Sequence, residues 1–81
     1  MLTRCLAKAL APHVRVNSVA PGTILFPGEE PSATIQNVIR ATPLRKAGCA
    51  QDIAELVLFL VTHSEFITGQ VFPVDGGKSI P

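Results

Sequence analysis

Residues 14–22 read Val14-Arg15-Val16-Asn17-Ser18-Val19-Ala20-Pro21-Gly22. Val14, Val16, Val19 and Ala20 make a short β-branched run around Arg15, Asn17 and Ser18, which is a strand pattern. Pro21-Gly22 closes it, because proline has no amide hydrogen for a ladder and glycine turns without steric cost. Upstream, Leu2, Cys5, Leu6, Ala9 and Leu10 recur at helical spacing, with Arg4, Lys8 and Ala11 on other faces. Pro12 stops that helix, and nothing caps its front, so the chain is expected to begin inside the element.

Downstream, Pro21, Gly22, Pro27, Gly28 and Pro31 make residues 21–32 a loop. Ser32 is suited to cap a short helix with Ile35, Val38 and Ile39 on one face, ending before Pro43. Ile53, Leu56, Val57, Leu60 and Val61 then repeat at the spacing of one helix face. Asp52 lies in the first turn, where the helix dipole favours an anion, and His63 lies near the end. Leu58 and Phe59 widen the apolar surface, so this helix is expected to contact two things. Thr68-Gly69 is a turn, Val71 to Val74 a second strand, and Asp75-Gly76-Gly77 a closing turn. Helices alternating with strands define a parallel α/β arrangement. A parallel sheet needs cover on both faces, which two strands and two to three helices cannot supply alone. An open, apolar sheet edge is the expected result.

Composition says the same. The 81 residues are 47% hydrophobic and only 16% charged, against a usual charged share of about 25%. A chain of this length buries only about 60% of its unfolded surface, so the shortage of charge marks surface that other polypeptide covers. Residues 1–28 carry Arg4, Lys8 and Arg15 without an acid, whereas residues 29–81 carry four basic and six acidic residues. A net charge of +1 with no Tyr or Trp argues against nucleic acid as a partner. No apolar run approaches the roughly 20 residues of a membrane span. The basic start has some character of a targeting peptide, but Lys8 interrupts the apolar stretch and an amphipathic helix explains it better. Cys5 and Cys49 make no disulfide framework, which points to a reducing, cytoplasmic setting.

Residue chemistry alone names few candidates. In open α/β sheets, ligands sit beyond the carboxyl ends of the strands, where Pro21-Gly22-Thr23-Ile24 lies. Backbone amides there suit a carboxamide or phosphate, although a Pro-Gly after a strand is also an ordinary turn. No G-x-G-x-x-G or P-loop precedes a helix. His13 and His63 lack metal spacing and fit a loop and a helix end. Cys49, near Arg45 and Lys46, has charges that lower a thiol pKa, but without a nearby base it reads better as a small residue in a helix-entry turn. No nucleophile, base and acid assemble into a catalytic arrangement, so no catalytic residue and no metal ligand is assigned.

Several strings together are more specific. Leu2-Thr3-Arg4, Leu10-Ala11-Pro12 and Val14 to Gly22 resemble the region after the catalytic lysine in the short-chain dehydrogenase/reductase family. Pro43-Leu44-Arg45, Gly48, Asp52-Ile53-Ala54, Phe59-Leu60, Ile67-Thr68-Gly69-Gln70 and Val74-Asp75-Gly76-Gly77 resemble its closing segment. The resemblance covers nearly the whole chain. It implies the C-terminal third of a Rossmann-type, doubly wound parallel sheet, with residues 1–81 forming a partial domain. It implies an NADP(H)-dependent oxidoreductase, with none of the cofactor binding tightly to this chain alone. Pro21, Gly22, Thr23 and Ile24 would line the nicotinamide end of the cofactor site, the Ile24 backbone meeting the carboxamide.

The segment from Thr23 to about Pro43 would be the variable substrate loop. The string Ala20 to Pro27 is similar to the pteridine reductase branch, where an aromatic and a proline follow the turn. Leu25, Phe26 and Pro27 would then meet a flat pterin-like substrate, with Phe26 stacking on it or else packing beneath the loop. Helix residues 52–63 and the last strand would form a homo-oligomer interface, dimer or tetramer. Cys49 and Ala50 replace the family's usual cap residue and proline, which is expected to weaken the long helix's start by up to about 1 kcal/mol. The glycine-rich loop and the catalytic asparagine, serine, tyrosine and lysine all lie upstream of the matched residues. Hydride transfer needs a positioned cofactor and a proton donor, so this chain alone is expected to be inactive. The rival readings are a non-enzymatic interaction module using the sheet edge and the 52–63 helix, and a mitochondrial targeting segment fused to a small helical domain.

Overall fold

The computed structural model describes all of residues 1–81. Its element order is α1 (Leu2–Leu10), β1 (Ser18–Pro21), α2 (Ala33–Ala41), α3 (Ala50–Thr62) and β2 (Val71–Val74). β1 and β2 are adjacent and parallel, with Ser18 opposite Val71 and Pro21 opposite Val74. The α/β order and the parallel pairing expected from the sequence are both present.

Local signals place most elements. Ser32 Oγ accepts the Ile35 N–H at 3.2 Å and caps α2, whose Ile35, Val38 and Ile39 are half-buried. Met1 stands at the N-cap of α1 without a side-chain hydrogen bond. The Asp52 carboxylate in the first turn of α3 accepts the Cys49 N–H at 2.8 Å, so a reciprocal cap meets the deficit expected from Cys49 and Ala50.

Three features differ from the sequence pattern or go beyond it. First, the strand anticipated from Val14 begins only at Ser18. Residues 16 and 17 bond instead to the turn before β2: Val16 N–H donates to Thr68 Oγ1, and the Val16 carbonyl accepts from Gly69 at 2.7 Å. Asn17 Nδ2 donates to the Ile67 carbonyl while its Oδ1 accepts from Gln70 N–H. Side-chain partners and the Gly69 amide thus replace ladder partners there.

Second, the apolar stripe of α1 faces outward. Ala7 is buried, near Gly69, and Thr3 bonds to Ser18 Oγ at 3.1 Å, whereas Leu2, Leu6 and Leu10 are exposed. The small residues at 3 and 7 make the contacts of this helix, Thr3 with Ser18 and Ala7 beside Gly69, and the leucines are left exposed.

Third, α3 buries a narrower stripe than its periodicity suggests. Ile53, Leu56 and Leu60 turn inward, while Val57 and Val61 are exposed along with Leu58 and Phe59. The two-sided character expected of this helix is therefore more pronounced.

Only Ala7, Leu60, Thr42 and Ser64 are buried, and no side chain is wholly enclosed. The accessible surface is 6201 Å², where a self-contained domain of this mass exposes about 4,700 Å². The radius of gyration is 15.2 Å, against about 12 Å for a compact chain of this length. The molecule is a slab, 46 × 26 × 17 Å. Ser18, Gln70, Gly22 and Val74 set the ladder so that the Val19 N–H and carbonyl face the open edge of β1. Pro73 removes the donor from the far edge of β2. No helix is long and apolar enough to cross a membrane.

Candidate functional site at the carboxyl ends of the strands

Three segments converge beyond Pro21 and Val74. The Gly22 N–H donates to the Val74 carbonyl at 2.9 Å. A Cβ at Gly22 would stand 2.8 Å from both Cα and Cβ of Asp75, so only glycine fits where the two strand ends meet. The closing turn then holds the connection between α2 and α3. Leu44 N–H donates to the Gly76 carbonyl at 3.0 Å, and Gly76, at φ +64°, packs against Thr42. Asp75 accepts from the Gly77 and Ser79 amides. Its contact with Ser79, then the Gly77 amide, keeps its carboxyl below the usual carboxylate range.

The third segment is the turn itself. Ile24 bridges to Gly48 in parallel fashion. Gly48 N–H donates to the Thr23 carbonyl at 2.9 Å, and Leu25 N–H donates to the Gly48 carbonyl at 3.1 Å. These two bonds use the polar groups on either side of Ile24 and turn its own the other way. The Ile24 N–H and carbonyl enter no hydrogen bond in the molecule. A donor and an acceptor therefore stand side by side on a fixed backbone, the complement of a primary amide.

Three of the seven expected site residues, Pro21, Gly22 and Thr23, line two separate hollows, and Ile24 and Leu25 line neither. Thr23 lines a cavity of about 290 Å³ together with Thr42, Lys46, Asp52, Glu55 and Asp75. Pro21 and Gly22 open onto a second hollow shared with Pro73, Lys78 and Ser79. Phe26 and Pro27 line neither. Phe26 opens, and Pro27 and Gly28 form the tip of, a turn in which Glu29 N–H donates to the Phe26 carbonyl at 3.0 Å and Gly28 takes φ +81°. Pro27 and Gly28 suit the two central positions of a type II turn. Phe26 is 61% exposed, so it does not pack beneath the loop in this chain. Glu29 Oε1 accepts the Phe26 N–H at 3.2 Å and clasps the turn. Sequence reasoning missed Glu29; the only signal was an acid after Pro-Gly.

The two histidines lie away from this end. His63 caps α3 and stacks on Phe59 with ring centroids 6.1 Å apart. His13 sits in the exposed connection after α1.

Parallel strands with a glycine-bearing turn at their carboxyl ends have the arrangement of an open α/β sheet, a fold whose ligands sit at that end. Comparison with known proteins fixes the family. A family profile described as enoyl-(acyl carrier protein) reductase matches residues 1–79. A protein assigned as ketoacyl reductase 2 of the granaticin polyketide synthase of Streptomyces violaceoruber is 47% identical over 82 residues, spanning 96% of this chain and 32% of that protein. Dihydromonapterin reductase of Escherichia coli strain K12 is 38% identical over 79 residues, spanning 98% of this chain and 32% of that enzyme. The crystal structure of a short-chain dehydrogenase from Leptospira borgpetersenii with bound NAD+ superposes with a TM-score of 0.86 at 41% identity, covering 98% of this chain and 31% of that one. The chain belongs to the short-chain dehydrogenase/reductase family of oxidoreductases. It matches that family's C-terminal segment, and its likeness to dihydromonapterin reductase puts it near the pteridine reductase-like branch. It spans about a third of the length of the curated relatives it matches.

Proposed function

We propose that this chain supplies the closing third of an NADP-dependent oxidoreductase that reduces a pterin or a related carbonyl or imine substrate. The observation that carries the reading is Ile24: its free N–H and carbonyl, locked in place by Gly48, suit the carboxamide of a nicotinamide ring. Gly22 supports it, since no Cβ fits beside Asp75. When bound, the nicotinamide supplies the hydride. Pro21, Gly22, Thr23 and Ile24 orient the ring's amide end. Leu25, Phe26 and Pro27 rim the substrate, with the exposed Phe26 ring free to stack on a flat heterocycle. The proton donor and the phosphate-binding loop belong to upstream segments of the family's fold, so the 81 residues alone are inactive.

The exposed apolar surfaces fit the same reading. The excess over a self-contained domain is about 1,500 Å², nearly twice what one partner contributes to an ordinary interface. The open edge of β1 and the leucines of α1 are surfaces that the rest of a sheet covers. Val57, Leu58 and Val61 on the outer face of α3, with Val71 of β2, form a homo-oligomer contact in the completed, cytoplasmic enzyme. The same exposed helix face also favours a second reading, a non-enzymatic module that binds a partner subunit.

Joining this chain behind the upstream part of the Escherichia coli dihydromonapterin reductase tests the choice. The hybrid is expected to oxidise NADPH with dihydropterin, and the 81 residues alone to do nothing. A hybrid that binds NADPH but reduces no dihydropterin contradicts the pterin assignment. Turnover by the isolated chain contradicts its dependence on upstream residues.

A further inference from the structure

The turn at Ile24 is not held by its own strand. β1 ends at Pro21, and the backbone from Thr23 to Leu25 is fixed by Gly48 alone, through the two bonds at 2.9 and 3.1 Å. Gly48 in turn has little freedom. A Cβ there would stand 3.0 Å from Ile24 Cδ1 and 3.2 Å from Asp52 Oδ2. The next residue, Cys49, is the N-cap of α3, and its N–H is bound at 2.8 Å by that same Oδ2. Asp52 N–H returns the contact to the Cys49 carbonyl at 3.0 Å. A continuous chain of backbone contacts thus runs from the first turn of α3, through Cys49 and Gly48, to the flanks of Ile24.

We propose that Asp52, acting through Gly48, is a positioning residue that sets the aim of the Ile24 backbone toward its ligand. Ile24 has a ligand to aim at only under the functional reading above, on which this assignment rests. The Cys49 N–H beside it holds the Asp52 carboxyl below the usual carboxylate range, so an ionised acceptor is present at neutral pH. Gly48 is the joint: without a side chain, it lets the Ile24 side chain and the Asp52 carboxylate approach one backbone from two sides. The helix assigned by sequence pattern to packing and assembly therefore also governs the cofactor-side turn.

Amide hydrogen exchange on the 81-residue chain, resolved by NMR, reads the coupling without any activity. In the native chain the Leu25 and Gly48 amides are expected to exchange more slowly than that of Ile24, which has no acceptor. In Asp52→Ala both are expected to speed up by about tenfold, the equivalent of one lost hydrogen bond, and the Ile24 amide resonance to move. The Ser18 and Gly22 amides, bonded to the Gln70 and Val74 carbonyls, serve as controls and are expected to stay unchanged. Asp52→Asn keeps an oxygen acceptor for the Cys49 N–H and is expected to restore the slow rates. Gly48→Ala is expected to mimic Asp52→Ala at Ile24 and Leu25 while leaving those controls alone. The assignment is overturned by unchanged Leu25 and Gly48 rates in Asp52→Ala, by a loss shared equally with Ser18 and Gly22, or by the absence of protection at Leu25 and Gly48 in the native chain. Failure of the functional reading shows separately, as a hybrid reductase that binds NADPH and reduces no dihydropterin.

Discussion

The carboxyl ends of the strands and the α1 side of the molecule are built in opposite ways. At the strand ends, backbone bonds from Gly22, Leu25, Leu44 and Gly48 tie three segments together, and glycines let them touch. On the α1 side, contact rests on Ala7 and one Thr3–Ser18 hydrogen bond, while Leu2 and Leu6 stand 71% and 40% exposed. Backbone hydrogen bonding is directional and short-ranged, so the first region needs nothing beyond this chain to take its shape. Apolar burial needs surface on the other side, and the second region has none. The strand-end cluster is thus tied together within the 81 residues, and the leucine face of α1 is left open.

Substitutions can break that contrast from either end. The largest effect is expected from Gly22→Ala. Its Cβ would meet Asp75 backbone at 2.8 Å, and forcing a methyl into a packed backbone contact costs roughly 2–3 kcal/mol. Asn17→Ala follows, because it strips the Ile67 carbonyl and the Gln70 amide of their partners; two hydrogen bonds are worth about 2 kcal/mol together. Ser32→Ala removes the cap of α2 at about 1 kcal/mol. All three are read as increased amide exchange in the affected segment. Leu6→Lys tests the other side. It is expected to change the stability of this chain by no more than about 0.5 kcal/mol, yet to abolish soluble expression of a completed reductase in which that face is covered. A large loss in the isolated chain would show that the leucine stripe is already packed.

Acid should separate the two regions as well. Asp52 and Asp75 both have folded carboxyls held below their usual range by hydrogen bonds at the strand ends. A depressed folded value means the ionised form supports the fold above the ordinary carboxylate range, and that support is lost as pH falls through the lowered values. Exchange at Cys49, Gly77 and Ser79 is therefore expected to quicken, relative to intrinsic rates, below that range. The α1 contacts hold no carboxylate and should not respond.

The same division explains what the sequence reveals. The Ser32 cap and the strand at Val71–Val74 follow from residues within four positions of one another and are legible in the sequence. The Asp52 cap that offsets Cys49 is not, although Asp52 itself is placed in the first turn of α3. The start of β1 is not legible either, because the groups that take Val16 and Asn17 out of the ladder lie some fifty residues on, at 67–70. The inward face of α1 is not legible for a related reason. Periodicity finds the apolar stripe but does not say which side faces this chain, and small Thr3 and Ala7 took the contact. At the site, the family resemblance marked Pro21 to Ile24. The bridge from Ile24 to Gly48, and the Glu29 clasp on Phe26, are contacts that no spacing rule announces.

The strand ends are tied together within these residues, while the apolar faces of α1 and α3 stay open. Thermal unfolding of the purified 81-residue chain, followed by circular dichroism over a hundredfold range of concentration, tests this most directly. A broad transition that moves with concentration is predicted, as exposed leucines and the β1 edge find partners in other copies. A sharp transition at the same temperature throughout would mean a self-sufficient monomeric domain, and would contradict the account.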